Sequence, residues 1–140
     1  MGYKEVSRVD NYTLFARIAL SFAFLSAVAD RFGFWTPLLG ADSVAWGNMD
    51  SFTTYTGSLI PYVPQKIVPF FAWAATIAEI VLGISLLIGF KKRLTYLASG
   101  VLLLIFAFSM MIFVNAKAPF DYSVLTAAAC SFLLFRDSKE

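Results

Sequence analysis

The 140-residue sequence has no histidine and a single cysteine, and only 14% of its residues are charged. Without histidine there is no Ser-His-Asp triad and no bis-histidine haem, and one cysteine cannot complete a Cys/His zinc site or an intramolecular disulfide. The sparse charge forms no basic stripe, so nucleic acid is not a predicted partner, and the net charge of +2 adds nothing. What replaces the missing polarity is apolar surface: 59% of the residues are hydrophobic and mean hydropathy is +0.74. A soluble domain is about 45–50% apolar and about 25% charged, and so short a chain has too little interior to hide the excess. The natural solvent for such a chain is a lipid bilayer.

The hydrophobicity is blocked into four stretches, 14–29, 67–90, 94–114 and 122–135. The fourth is too short for a hydrocarbon core of about 30 Å unless it is extended from Pro119 toward Asp137. Proline suits such a start, because its missing N–H would have had no intrahelical partner. The predicted fold is therefore all-α, a single membrane domain over 1–140 with helices of about 12–35, 66–90, 93–114 and 119–137. Ala27-Val28-Ala29 after an apolar run resembles a leader cleavage site, but Arg17 interrupts that run, so the segment is read as a retained helix.

Four spans put the N-terminus, the 91–93 turn and the C-terminus on one side of the membrane. That side holds Lys4, Arg8, Lys91, Lys92, Arg93, Arg136 and Lys139, against Arg31, Lys66 and Lys117 on the other. The positive-inside rule then predicts cytoplasmic termini. The long connection over 30–66 falls on the extracytoplasmic side. Within it Met49, Phe52, Tyr55, Thr56 and Leu59 recur at helical spacing after a possible N-cap, Asn48, which predicts a short interfacial helix over about 48–59. Two readings of this connection stand: an ordered cover over the helix ends, or a functional loop.

Charged residues inside spans are expensive, about 2.5–3.5 kcal/mol each at mid-bilayer, and need partners. Glu79 is the deepest, and Arg17, inside the first helix, is its predicted partner. Ala72, Ala75 and Gly83 share a face with Glu79 and would let a neighbouring helix approach closely. An Arg17–Glu79 pair reads equally as a packing clasp or as a proton- or ligand-binding site. A second candidate group, an outer vestibule, comprises Asp30, Arg31, Trp46, Lys66, Trp73, Asp121 and Tyr122. Asp121 also suits a helix N-terminus, where its charge meets the positive end of the helix dipole. Cys130, among Ala127, Ala128 and Ala129, reads as inert packing. No metal site is predicted.

Several of these pieces occur in a telling order: FARIALSFAFL, DRFGFW, VAWGN, AWAATIAEIVLGISLLIGFKKR and APFDYSV. In that order they resemble the DoxX family of small four-helix bacterial membrane proteins, over roughly residues 17–134. The resemblance implies a compact inner-membrane protein, and carries a family pattern onto Arg17, Glu79 and the Asp30-Arg31 pair. The family takes its name from a membrane subunit of an archaeal thiosulfate:quinone oxidoreductase, and other members are linked to redox-stress complexes. It therefore suggests an accessory or assembly subunit of a larger, redox-linked complex, with a protein partner or a second copy of itself. The alternative it suggests is a quinone-interacting oxidoreductase subunit. A carrier rests on Glu79 alone, and no repeat or broken helix supports it. The chain itself offers no ligands for haem or an iron–sulfur cluster, so quinone is the one cofactor in view. The orientation is testable directly: alkaline phosphatase fused at Gly57 should be active and fused after Glu140 inactive, and the reverse pattern would overturn it.

Overall fold

The computed structural model describes residues 10–139. Lys4 and Arg8, which contribute to the predicted orientation, lie outside the described residues. Among those residues the protein is all-helical, with no strand. The elements are α1 (Asn11–Arg31), α2 (Thr36–Leu39), α3 (Met49–Leu59), α4 (Val68–Ile88), α5 (Lys92–Phe113), α6 (Ala118–Asp121) and α7 (Val124–Asp137), with 3₁₀ turns at Ala41–Ser43 and Gln65–Ile67. Three helices, Asn11–Arg31, Gln65–Ile88 and Lys92–Phe113, are long and apolar enough to cross a bilayer.

Each long helix buries one stripe. On α4 it runs Val68, Ala72, Thr76, Glu79, Gly83 and Leu86, the three- and four-residue spacing of a single helical face. The opposite row of α4, Phe70, Trp73, Ile77, Val81, Ile84 and Ile88, is at least 46% exposed throughout. Water would not tolerate so continuous an apolar surface, whereas acyl chains would cover it at no cost.

The helices pack as two tight pairs, α1 with α4 and α5 with α7, joined more loosely to each other. Both pairs use the same device. Ser21 Oγ donates to the Gly83 carbonyl at 2.7 Å, and Ser131 Oγ donates to the Tyr96 carbonyl at 2.7 Å. Beside each bond sits a glycine against which the partner helix rests: a β-carbon on Gly83 would lie 2.8 Å from Leu25, and one on Gly100 2.8 Å from the Phe132 ring. In an apolar surround, close backbone approach and interhelical hydrogen bonds are what hold helices together. Leu20, Phe24, Leu86, Tyr96 and Leu134 fill the space between the pairs toward the α4–α5 turn.

Two predicted helices differ in extent. The first was predicted to continue to about residue 35 but stops at Arg31: the Phe34 N–H donates to the Ala29 carbonyl and the Gly33 N–H to the Asp30 carbonyl, and Gly33 takes a φ of 77°. This pair of bonds is a Schellman stop, which only a residue tolerant of positive φ completes without strain. The chain then turns back along α1, where the Trp35 indole N–H donates to the Ser26 carbonyl. The last helix, predicted as continuous over 119–137, is broken at Tyr122 and Ser123, with Ser123 at a φ of 54°. The break lets α6 bend under α3, burying Ala118 against Leu59 and Met110.

Candidate functional site

Glu79 lies near the middle of α4, 3% exposed, and its partner is Arg31, the last residue of α1, also 3% exposed. Arg31 Nη1 stands 2.5 Å from Glu79 Oε2 and donates to Thr76 Oγ1 at 3.0 Å. The Thr76 hydroxyl in turn donates to the Ala72 carbonyl at 2.8 Å. Two aromatic rings cover the cation: the guanidinium carbon is 3.5 Å from the centre of the Phe52 ring and 5.1 Å from that of Trp46. Away from water each ring contributes roughly 1–2 kcal/mol of cation–π attraction.

This corrects the predicted Arg17–Glu79 pairing. Helical side chains lean toward their own N-terminus. Ser21 opposite Gly83 sets Glu79 opposite Leu25, about 9 Å along the axis from Arg31 and about 12 Å from Arg17. In these antiparallel helices Arg31 and Glu79 lean toward each other, whereas Arg17 leans away, toward the α4–α5 turn. There it meets the end of α4: its Nη1 occupies the position a β-carbon on Gly89 would need, with Lys92 Cε beside it. A cation at a helix C-terminus is favourably placed, so Arg17 secures the end of α4.

Asp30, 7% exposed, is the second buried carboxylate. Its Oδ2 accepts the Ala45 and Trp46 N–H groups at 3.0 and 3.1 Å, and its Oδ1 accepts that of Gly47 at 3.1 Å. Three otherwise unmatched amides are thereby satisfied. The connection is strapped to the end of α1, and Trp46 is delivered onto Arg31. Immediately afterwards the Asn48 side chain accepts the Ser51 N–H and starts α3, which carries Phe52 and Tyr55 to the same place. Trp46 stacks edge-on against Phe52, with ring centres 5.1 Å apart, and tilts against Tyr55 at 5.9 Å.

The ion pair forms part of the wall of a cavity of about 940 Å³ between the two helix pairs, beneath α3. Proteins enclose small molecules in pockets of about 300–1,000 Å³. The space exists because the facing positions are small: Ala23 and Ala27 on α1, Ala74, Ala75 and Ala78 on α4, and Ala127 on α7. Phe71, Ala74 and Ile105 line it and are also exposed, so it opens sideways between α4 and α5, and the exposed Ser51, Thr54 and Ser58 line it along α3. Most of the lining is apolar, and beside the ion pair its polar side chains include Thr56 and Ser58 of α3 and Ser109 of α5. Tyr55 and Tyr122 both line it; burial pushes the Tyr55 phenol up, with Tyr122 adding to the effect, so Tyr55 is a neutral donor at physiological pH. Arg31 Nε is buried and donates to no group among the described residues.

The predicted outer vestibule therefore divides. Arg31, Trp46 and Tyr122 line the cavity with Glu79, and Asp30 stands behind them as the anchor. Among the described residues Lys66, Trp73 and Asp121 lie outside that wall. Lys66 is exposed in the turn before α4, and Trp73 tilts against Phe32 with ring centres 6.1 Å apart. Asp121 ends α6 and forms an exposed pair with Lys117. The sequence reading missed Thr76 and the covering role of Phe52. Thr76 stands one turn before Glu79 on the same face, a polar pairing within an apolar span that marks the site.

The strap is the part most open to a direct check. Asp30→Asn keeps the size but removes the charge and sets an NH₂ group against backbone donors, at a cost of about 1–3 kcal/mol. Hydrogen exchange at the amides of Ala45, Trp46 and Gly47 should accelerate about tenfold or more, while amides in the middle of α4 keep their wild-type rates. Unchanged exchange at the three amides would contradict the strap. No model of a known protein family, no curated protein and no solved structure matches this chain.

Proposed function

We propose that the chain is a small DoxX-like four-helix subunit of a bacterial inner membrane, and that its cavity holds a quinone. In this reading α1, α4 and α5 span the bilayer, α6 and α7 together form the fourth crossing, both termini face the cytoplasm, and α3 lies in the outer interface. The observation that carries the ligand is the buried Arg31–Glu79 pair set in the wall of a large apolar cavity, with Arg31 Nε left as a spare donor.

The residues present suit a quinone. A quinone ring is flat and apolar, with carbonyl oxygens that accept hydrogen bonds, and its isoprenoid tail belongs in the bilayer. Arg31 Nε and the Tyr55 and Tyr122 hydroxyls offer donors for the carbonyls, and the alanine-lined walls accommodate the ring. The side opening between α4 and α5 leads the tail to lipid. When bound, a quinone supplies two-electron, two-proton redox chemistry. Glu79 holds the Arg31 guanidinium in place beside it, and the aromatic cover of Trp46 and Phe52 keeps water from the pair.

With no histidine and one cysteine, the chain makes neither a bis-histidine haem site nor a four-cysteine cluster. Its place is thus that of an accessory or assembly subunit beside a redox partner, not a complete oxidoreductase. The apolar stretch from Phe34 into α2 favours such docking, with Phe34 68% and Leu38 74% exposed.

Solvent extraction of protein purified in mild detergent tests the ligand. Wild type should release quinone at close to one molecule per chain. Ala78→Phe, which sets a ring into the cavity and leaves Arg31 and Glu79 themselves unaltered, should release less than a tenth of that at the same helical content. Quinone-free wild type, or equal amounts from both proteins, would refute the proposal.

A further inference from the structure

Three consecutive cations stand where the α4–α5 turn enters α5: Lys91 in the turn, then Lys92 and Arg93 at the start of the helix. Lys91 adopts φ 38° and ψ 54°, a left-handed conformation that suits glycine or asparagine better than lysine. Lys91 and Arg93 form the rim of a groove of about 490 Å³, whose floor is Leu94 and Leu97 of α5 and Phe135 of α7. The Arg93 head is fixed at this rim: its Cζ lies 4.3 Å over the Phe135 ring, and Nη1 donates to the Ser138 carbonyl at 2.8 Å. Leu94 and Leu97, one turn apart along α5, are 62% and 37% exposed. Arg17 approaches from the far side of the turn, adding positive potential.

Since α4 and α5 are both long and apolar enough to cross a bilayer, the turn that joins them sits at the bilayer's edge. The rim is then at the level of lipid phosphates and the floor at the level of the first acyl carbons. We propose that this groove is a binding site for an anionic phospholipid, with the phosphate between Lys91 and Arg93 and an acyl chain along Leu94 and Leu97 against Phe135. A zwitterionic lipid offers the same phosphate but carries its own cation toward the basic rim, so the site discriminates by net charge. The site rests on the helices being membrane-embedded and is independent of what the central cavity holds.

The test uses the full chain in phosphatidylcholine nanodiscs, with and without 20 mol% phosphatidylglycerol, read by Tm and by native mass spectrometry of retained lipid. Wild type should gain several degrees with phosphatidylglycerol and retain it at least threefold over phosphatidylcholine. Lys91→Gly removes the cation and relieves the left-handed lysine, so its Tm in phosphatidylcholine alone should equal or exceed that of wild type. Its gain with phosphatidylglycerol should fall by half or more. Lys91→Gln, which keeps a side chain on the turn, should lose the gain equally and stands in if the glycine variant folds poorly. Equal retention of the two lipids by wild type, a full gain in both variants, or the same gain from millimolar inorganic phosphate without phosphatidylglycerol would overturn the proposal.

Discussion

A guanidinium and a carboxylate meet in the apolar interior of this molecule, and the architecture at the α3 end follows from keeping them together. Either charge alone in such a place would cost several kcal/mol, more than most single contacts in a small protein return. Arg31 is the last residue of α1 and Glu79 is near the middle of α4, so the pair ties a helix end to a helix centre. Thr76 takes one more of the guanidinium's hydrogens, and Phe52 and Trp46 close over its face. Those rings come from the connection between α1 and α4, and they are held there because Asp30, the neighbour of Arg31, collects three amides of the same connection. Two adjacent residues thus do complementary work: one holds the partner helix, and the other holds the cover.

The rest of the molecule explains why this pair has a space beside it. Toward the α4–α5 turn, serine-to-carbonyl bonds and glycine contacts draw the helices together in two pairs, with Leu20, Phe24, Leu86, Tyr96 and Leu134 filling the centre. Toward α3 the facing residues of α1, α4 and α7 include six alanines while the helices stay apart, and a cavity of about 940 Å³ results. Tight packing at one end and small side chains at the other give a rigid frame around a pocket. That is the arrangement a ligand site needs, since bound geometry is only as well defined as the walls that hold it.

Much of this was legible in the sequence, and what was not has a physical reason. The three long apolar helices follow from hydropathy, because a span of twenty-odd apolar residues has few other uses. Glu79 stood out as the charge that must have a partner. The predicted partner, Arg17, lies about 12 Å from it along the helix axis and Arg31 about 9 Å, too small a difference to separate them. Side-chain lean toward the N-terminus decides the matter, and it favours Arg31. The early stop of α1 was marked by Gly33, one residue past its cap, but apolar Phe32, Phe34 and Trp35 around it disguised the boundary. The break before α7 left no local signal, since Ser123 adopts its left-handed backbone to let α6 pack under α3, a tertiary demand. The cavity was equally hidden: a run of alanines reads as close packing until the neighbouring helices are placed.

The ion pair, the cover and the cavity wall all require Arg31 and Glu79 to act as one unit. A double-mutant cycle with Arg31→Met and Glu79→Leu, read as unfolding free energy in mixed micelles, measures this most directly. Each single substitution leaves one buried charge without its partner and should cost about 3–5 kcal/mol. The double substitution leaves neither charge, so it should cost less than either single change. If the two costs simply add, the residues do not depend on each other and the account is wrong.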